Sequence, residues 1–230
     1  MLHHQIPLNL SMRPALGMED FLIGPSNADA VAWIDRWPDW PAPLLVISGP
    51  AASGKTHLAA VWGEKTRAAR IAPENLVQSS AEDLAGQSGA LLIDGIDPWI
   101  GEREAETTLF HLYNIFREQR RTFLVTSRMN PTQSDFAIPD LASRFRAAPV
   151  ATIKAPDDTL LASVLIKLFT DRQLSVGNEI ISYILPRMER SFVAARDIVY
   201  NIDTLAYSKK KGASIPLVRQ VLTDMQGDEY

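Results

Sequence analysis

The stretch Leu44-Leu45-Val46-Ile47-Ser48-Gly49-Pro50-Ala51-Ala52-Ser53-Gly54-Lys55-Thr56 decides the fold. Four apolar residues in succession, without alternation, read as a strand buried on both faces, the mark of a parallel sheet covered by helices. The strand runs straight into Gly49, Pro50, Ala51, Ala52, Ser53, Gly54, Lys55 and Thr56, a full match to G-x-x-x-x-G-K-[ST]. Glycines let the backbone close around phosphate oxygens, and the helix that follows presents its unpaired N–H groups to them. Lys55 is placed for the outer phosphates and the Thr56 hydroxyl for Mg²⁺. The expected ligand is ADP or ATP with Mg²⁺.

Such a site needs a second metal group at the end of a neighbouring strand. Ala90-Leu91-Leu92-Ile93-Asp94 supplies it, since Asp94 follows another short apolar run and a carboxylate there needs a cation or hydrogen bonds. Gly95 comes next, where P-loop ATPases usually carry a carboxylate that orients the attacking water. Asp97 is the nearest substitute, but two residues of chain displace a side chain by several ångströms. The expectation is a protein that binds nucleotide well and hydrolyses ATP slowly by itself.

Further apolar runs at Phe123-Leu124-Val125, Val150 to Ile153 and Arg70-Ile71-Ala72 read as additional strands. A helix is expected from Asn27 to Trp37, stopped by Pro38, Pro41 and Pro43. Leu109, Leu112, Tyr113 and Phe116 recur at helical spacing and predict a helix from Ala105 to Gln119. Strand and helix in alternation give an α/β domain with a parallel sheet. Beyond Ile153 the pattern turns helical, with stripes at Leu161, Val164, Leu165 and Leu168, and at Ile198, Ile202 and Leu205. The expected division is an arm over 1–19, an α/β nucleotide-binding domain over 20–154 and a small all-helical lid over 155–230.

Composition narrows the setting. The chain has 230 residues, no cysteine and a net charge of −4. The missing thiols exclude a disulfide scaffold and thiol catalysis and fit a reducing, cytoplasmic location. No apolar run approaches the roughly 18 residues of a membrane span, and the N-terminus lacks the basic head and apolar stretch of a secretory signal. Mild acidity argues against a protein whose main work is gripping the DNA backbone. His3, His4, His57 and His111 show no metal-ligand spacing. Trp33, Trp37 and Trp40 read as packing, and Lys209-Lys210-Lys211 as a solvated helix end.

Four segments stand in a familiar order: Phe21-Leu22-Ile23-Gly24-Pro25-Ser26-Asn27, Gly54-Lys55-Thr56-His57-Leu58, Pro139-Asp140-Leu141-Ala142-Ser143-Arg144-Phe145 and Ala195-Arg196-Asp197-Ile198. Over about residues 20 to 225 the chain resembles the AAA+ core of the DnaA family of bacterial replication initiators, and more narrowly the Hda group of DnaA-related regulators. The resemblance implies an AAA+ P-loop domain followed by a helical lid. It also implies that Ile23 and Gly24 border the nucleotide and that Arg196 contacts its phosphates from the lid. Arg196 lies away from the apolar stripe of its helix, as the role requires and as any solvated arginine would. By the same resemblance Arg144 is an arginine finger, a charge offered to the γ-phosphate held by a neighbouring subunit. Read locally, Arg144 is a surface arginine on a short helix, with Arg146 close enough to confuse the assignment. Ser127-Arg128 replaces a more polar or acidic sensor segment, so a γ-phosphate-sensing role does not carry over to Ser127. The segment between phosphate loop and acidic strand, Thr66 to Gly89, is compressed relative to DnaA. The sequence runs only to Tyr230, so a DNA-reading helix-turn-helix domain like that of DnaA is not expected.

Ahead of this core, Gln5, Ile6, Leu8 and Leu10 resemble the peptide with which polymerases and Hda-type regulators dock on a sliding clamp. The implied partners are the β subunit clamp of DNA polymerase III and DnaA, with DNA reached mainly through the clamp. A homodimer is compatible with the sequence. The implied function is negative regulation of replication initiation: docked on the DNA-loaded clamp, the protein promotes hydrolysis of DnaA-bound ATP through Arg144. Two alternatives stand beside it. One is an autonomous DnaA-like ATPase or loader acting on DNA, against which Gly95 and the mild acidity speak. The other is an adaptor that bridges clamp and partner without catalysis.

Overall fold

A computed structural model describes residues 22–209 and 212–227. Five strands form one wholly parallel sheet: β1 (Leu44–Ser48), β2 (Ala69–Ile71), β3 (Ala90–Ile93), β4 (Thr122–Ser127) and β5 (Val150–Thr152). Their order is β2-β3-β4-β1-β5, so β4 lies between β1 and β3. Every residue of β1 and β3 is buried, as expected of strands covered on both faces. In register, Ser48 stands opposite Ser127, and Ile93 opposite Val125. Because all strands run the same way, the loops after β1, β3 and β4 leave the same edge of the sheet, where open α/β sheets bind ligands.

Helices cover both faces. One face carries Leu44, Val46, Leu91, Ile93, Phe123 and Val125, and packs against α3 (Asn75–Gln78), α4 (Ala81–Gly86), α5 (Arg103–Glu118) and α6 (Pro139–Ala147). On α5, Ala105, Leu109, Leu112, Tyr113 and Phe116 are buried, and the rings of Tyr113 and Phe116 meet Phe123 edge-on. The helix spans Arg103 to Glu118, two residues earlier at its start than the apolar spacing alone predicts. On the other face, α2 (Lys55–Thr66) buries Leu58, Ala59, Val61 and Trp62, and Gly63 brings its backbone onto Leu92. Trp62 stacks on Trp40 at 5.4 Å, and Trp37 donates its indole N–H to the Thr122 hydroxyl. The short helix α1 (Ala28–Asp35) follows Asn27 at its N-cap, ends two residues before the expected Trp37, and buries Ala30, Val31 and Ile34. Trp40 is buried, whereas Trp33 is only partly so, with the Arg36 guanidinium over its ring.

A second compact unit comprises Ala155 onward together with Leu22–Gly24. It contains α7 (Asp158–Asp171), α8 (Asn178–Ile184), α9 (Phe192–Lys209) and α10 (Ile215–Gly227). Asp157 caps α7 by accepting from the Leu160 amide, and Ser191 accepts from Ala194 at the start of α9. Its core is aliphatic apart from Phe169: Leu165, Ile180, Ile181, Ile184, Ile198, Val199, Ile202, Val218 and Val221 surround that ring. The buried face of α7 runs through Leu160, Leu161, Leu165 and Phe169, leaving Val164 and Leu168 at its margin. On α9, Ala195 and Val199 join Ile198 and Ile202 inside, and Leu205 is only partly buried. The apolar spacing located both helices but placed each stripe slightly off-centre. No helix among the described residues is long and apolar enough to cross a membrane.

Candidate nucleotide site

The phosphate loop leaves β1 at Ser48. A side chain at Gly49 would place its Cβ 2.2 Å from the Ile153 carbonyl oxygen, so the loop's first position has room only for glycine. Ala52 and Gly54 adopt left-handed backbone, at φ 55° and 96°, which turns the chain so that α2 begins at Lys55 with its amides facing the loop. Ser53 is buried, and its hydroxyl has no partner among the described residues. Lys55 Nζ donates to the carbonyls of Gly49 and Pro50 at 2.8 and 2.7 Å, closing the loop on itself. Burial holds this ammonium below the ordinary lysine value, opposed by Asp97 and Asp94 and reinforced by Arg128.

Asp94 follows β3 directly. Its Oδ1 accepts from the hydroxyls of Thr56 at 3.2 Å and Thr126 at 2.6 Å. Thr126, buried on β4, also accepts from the Gly95 amide at 2.8 Å, so it fixes both the carboxylate and the turn that carries it. Arg70, on β2, reaches Asp94 Oδ2 at 3.5 Å. Ammonium, helix amides, a hydroxyl and a carboxylate stand together. This donor set, with an unpartnered buried hydroxyl in the loop, fits a nucleotide's phosphates and a divalent cation.

Gly95 has φ 84° and open space where a side chain would be. Asp97 turns toward β4: its Oδ1 accepts from Ser127 Oγ and the Arg128 amide, both at 2.7 Å. Ser127 Oγ accepts in turn from Met129, and the Ser127 carbonyl accepts from Gly49. Ser127 and Asp97 thus form a joint between β4, the acidic strand's loop and the phosphate loop.

The remaining site residues fall elsewhere. Arg144 lies on α6, with its guanidinium carbon 4.8 Å from the Phe110 ring centre and 5.0 Å from that of Tyr113. Arg146, on the same helix, is exposed. Arg196 lies on α9 in the helical unit, exposed and 3.5 Å from the Asp197 carboxylate. Ile23 and Gly24 group with that same unit, where Gly24 packs on Leu160. Gln5, Ile6, Leu8 and Leu10 lie outside the described residues. Sequence reading missed Thr126, Arg70 and the rings around Arg144. The one available signal was a hydroxyl pair, Thr126-Ser127, closing an apolar strand.

A P-loop sequence ahead of α2, an acidic residue after β3, a β2-β3-β4-β1-β5 parallel sheet and a helical unit give the chain an AAA+-like fold. In sequence the chain is similar to the replication initiator DnaA of Thermotoga species. It is 24% identical to that of Thermotoga sp. strain RQ2 over 238 aligned positions, covering 94% of this chain and 52% of the relative. The figures for Thermotoga petrophila DnaA are the same. The chain therefore spans about half the length of the curated relatives it matches. No family model matches it. In structure it is similar to domain III of Thermotoga maritima DnaA, with TM-score 0.76 and 21% identity over 93% of this chain and 98% of that one. AMPPCP-bound DnaA from Aquifex aeolicus gives TM-score 0.68 at 19% identity, over 86% and 67% of the two chains. The Thermotoga maritima branch-migration motor RuvB gives 0.63 at 16%, over 79% and 61%. In sequence and in fold, then, the chain is similar to the AAA+ domain of DnaA.

Proposed function

We propose that this chain is a DnaA-like AAA+ ATPase module that binds ADP or ATP with Mg²⁺ and acts on DNA in company with further AAA+ subunits. The convergence of Thr56 and Asp94 beside Lys55 carries this reading. Bound Mg²⁺–ATP would supply a cleavable terminal phosphoanhydride. The α2 amides and Lys55 bind the phosphates, Thr56 and Asp94 hold the metal, and Thr126 keeps Asp94 aimed. Asp97, tied to Ser127 and Arg128, and Gly95, without a side chain, leave the water-orienting task poorly served, so turnover by the chain alone is slow. Arg144, on α6, is the charge offered to a neighbouring subunit's terminal phosphate, and Arg196 the lid's contact with the nucleotide. Two measurements test this. Lys55→Ala abolishes ADP binding in calorimetry, where wild-type affinity would refute the phosphate role. Turnover of ATP by the chain is low alone and rises with DNA; rapid turnover alone would overturn the role given to Gly95.

A second reading draws on the same engaged Asp97 and on the Gln5, Ile6, Leu8 and Leu10 peptide. Here the chain is a negative regulator of replication initiation, docked on the β subunit clamp of DNA polymerase III loaded on DNA. It promotes hydrolysis of DnaA-bound ATP through Arg144. This reading predicts clamp retention that is lost on replacing Gln5 and Leu8 by alanine. It also predicts DnaA-bound ATP hydrolysis stimulated by the wild type and not by Arg144→Ala. Full stimulation by Arg144→Ala would leave only a non-catalytic adaptor, and clamp binding unchanged without Gln5 and Leu8 would remove the docking role.

A further inference from the structure

Arg144 is held in an unusual way. Its guanidinium carbon lies within 5.0 Å of the ring centres of both Phe110 and Tyr113, and its Nε is buried with no acceptor. Among the described residues no carboxylate pairs with it. Both rings belong to α5, and one turn before Phe110 the same helix carries Glu106, a carboxylate with 0% exposure. Glu106 accepts from three backbone amides: Gly101 at 2.6 Å, Ala137 at 3.0 Å and Ile138 at 2.7 Å. Ile138 is the residue that opens α6, so Glu106 fixes the start of the helix on which Arg144 sits.

Residues 106, 110 and 113 follow helical spacing and share one face of α5. A buried carboxylate persists where several amides solvate it, and this one joins the turn at Gly101 to the entry of α6. The two rings do for the guanidinium what a carboxylate often does, with one difference. A carboxylate would neutralise the charge before any ligand arrived, whereas aromatic faces hold the cation in place and leave its full charge available. An arginine ordered in advance also loses little freedom when an oxyanion arrives, the condition for efficient stabilisation of developing charge.

We infer that Glu106, Phe110 and Tyr113 are a positioning set for Arg144, which orders its guanidinium for the terminal phosphate of a nucleotide held by a second AAA+ subunit. The inference rests on the reading of Arg144 as a charge supplied in trans. The set touches no substrate and acts only through Arg144.

Two readouts test it, one of which needs no partner. In the ¹⁵N-resolved spectrum of the intact protein, the Arg144 Nε–Hε signal, assigned by its loss in Arg144→Lys, is displaced upfield by the ring currents. Phe110→Leu returns it toward the position of a solvated arginine. In the second readout, DnaA loaded with labelled ATP is mixed with the chain under saturating conditions. Phe110→Leu lowers stimulated hydrolysis by about tenfold, as expected when a transition-state group is loosened, and Phe110→Trp restores it. Glu106→Gln loses stimulation in the same direction, while ADP affinity at Lys55 is unchanged in both variants. Loss on Phe110→Leu with recovery in Phe110→Trp separates positioning from a folding defect. Stimulation undiminished in Arg144→Ala, or absent from the wild type, overturns the trans reading and this inference with it. Stimulation abolished by Arg144→Ala but intact in Phe110→Leu, with the Nε–Hε signal unmoved, overturns this inference alone.

Discussion

Lys55 shows how a single charge can be read at more than one site property. Its ammonium is held below the ordinary lysine value of 10.5, chiefly by burial. Phosphate favours the protonated form, so nucleotide binding raises the Lys55 pKa. Affinity for ADP therefore declines as pH climbs through the lowered value, before 10.5 is reached, and binding there takes up a proton. Calorimetry in buffers of different ionisation enthalpy measures that uptake. The stability contribution has the opposite sign. In that window the unfolded chain holds the proton more tightly than the folded one, so stability contributed by this group increases with rising pH. Lys55→Ala removes both effects. At this scale the sequence spoke clearly about Lys55, Thr56 and Asp94, because a fixed motif places them within one loop or at one strand end. It was silent about Arg70 and Thr126. Each acts on Asp94 from another strand, and no local pattern states that pairing.

The helix α5 carries two kinds of information on one cylinder. Its apolar face, legible from Leu109, Leu112, Tyr113 and Phe116, anchors it to the sheet, and Phe116 is fully buried with its ring 5.3 Å from that of Phe123. Phe116→Ala removes a large ring from a closed core and costs about 3–5 kcal/mol of stability, read by denaturant unfolding. Nucleotide affinity of the folded fraction is unchanged, since Phe116 packs in the core on the sheet face opposite α2, the helix that follows the phosphate loop. The adjoining side, where Glu106 and Phe110 flank Tyr113, was not legible. A glutamate in a helix reads as solvated, and only the loops that fold over it make it an internal residue. The short helices α3 and α4 escaped for a different reason: four and six residues give too few turns for a period to emerge. In α7 the period was right but its centre was misjudged, because Leu160 and Phe169 outcompete Val164 and Leu168 for the interior.

At the scale of the whole molecule, fold class was readable because unalternated apolar runs admit few arrangements, and a P-loop after the first of them admits fewer. Strand order was not readable, since nothing local says that the fourth strand enters between the first and third. That order has a consequence for how the protein is made. The phosphate-binding motif is complete at Thr56 and its acidic partner at Asp94, yet their strands do not hydrogen-bond to each other. They are joined through β4, where Thr126 holds Asp94 and the Ser127 carbonyl accepts from Gly49. A nascent chain leaving the ribosome therefore carries the motif long before it carries the site. Until Ser127 has emerged and paired, the loop and the carboxylate are two ends of an open seam, and ligand can stabilise the fold only after that seam is closed.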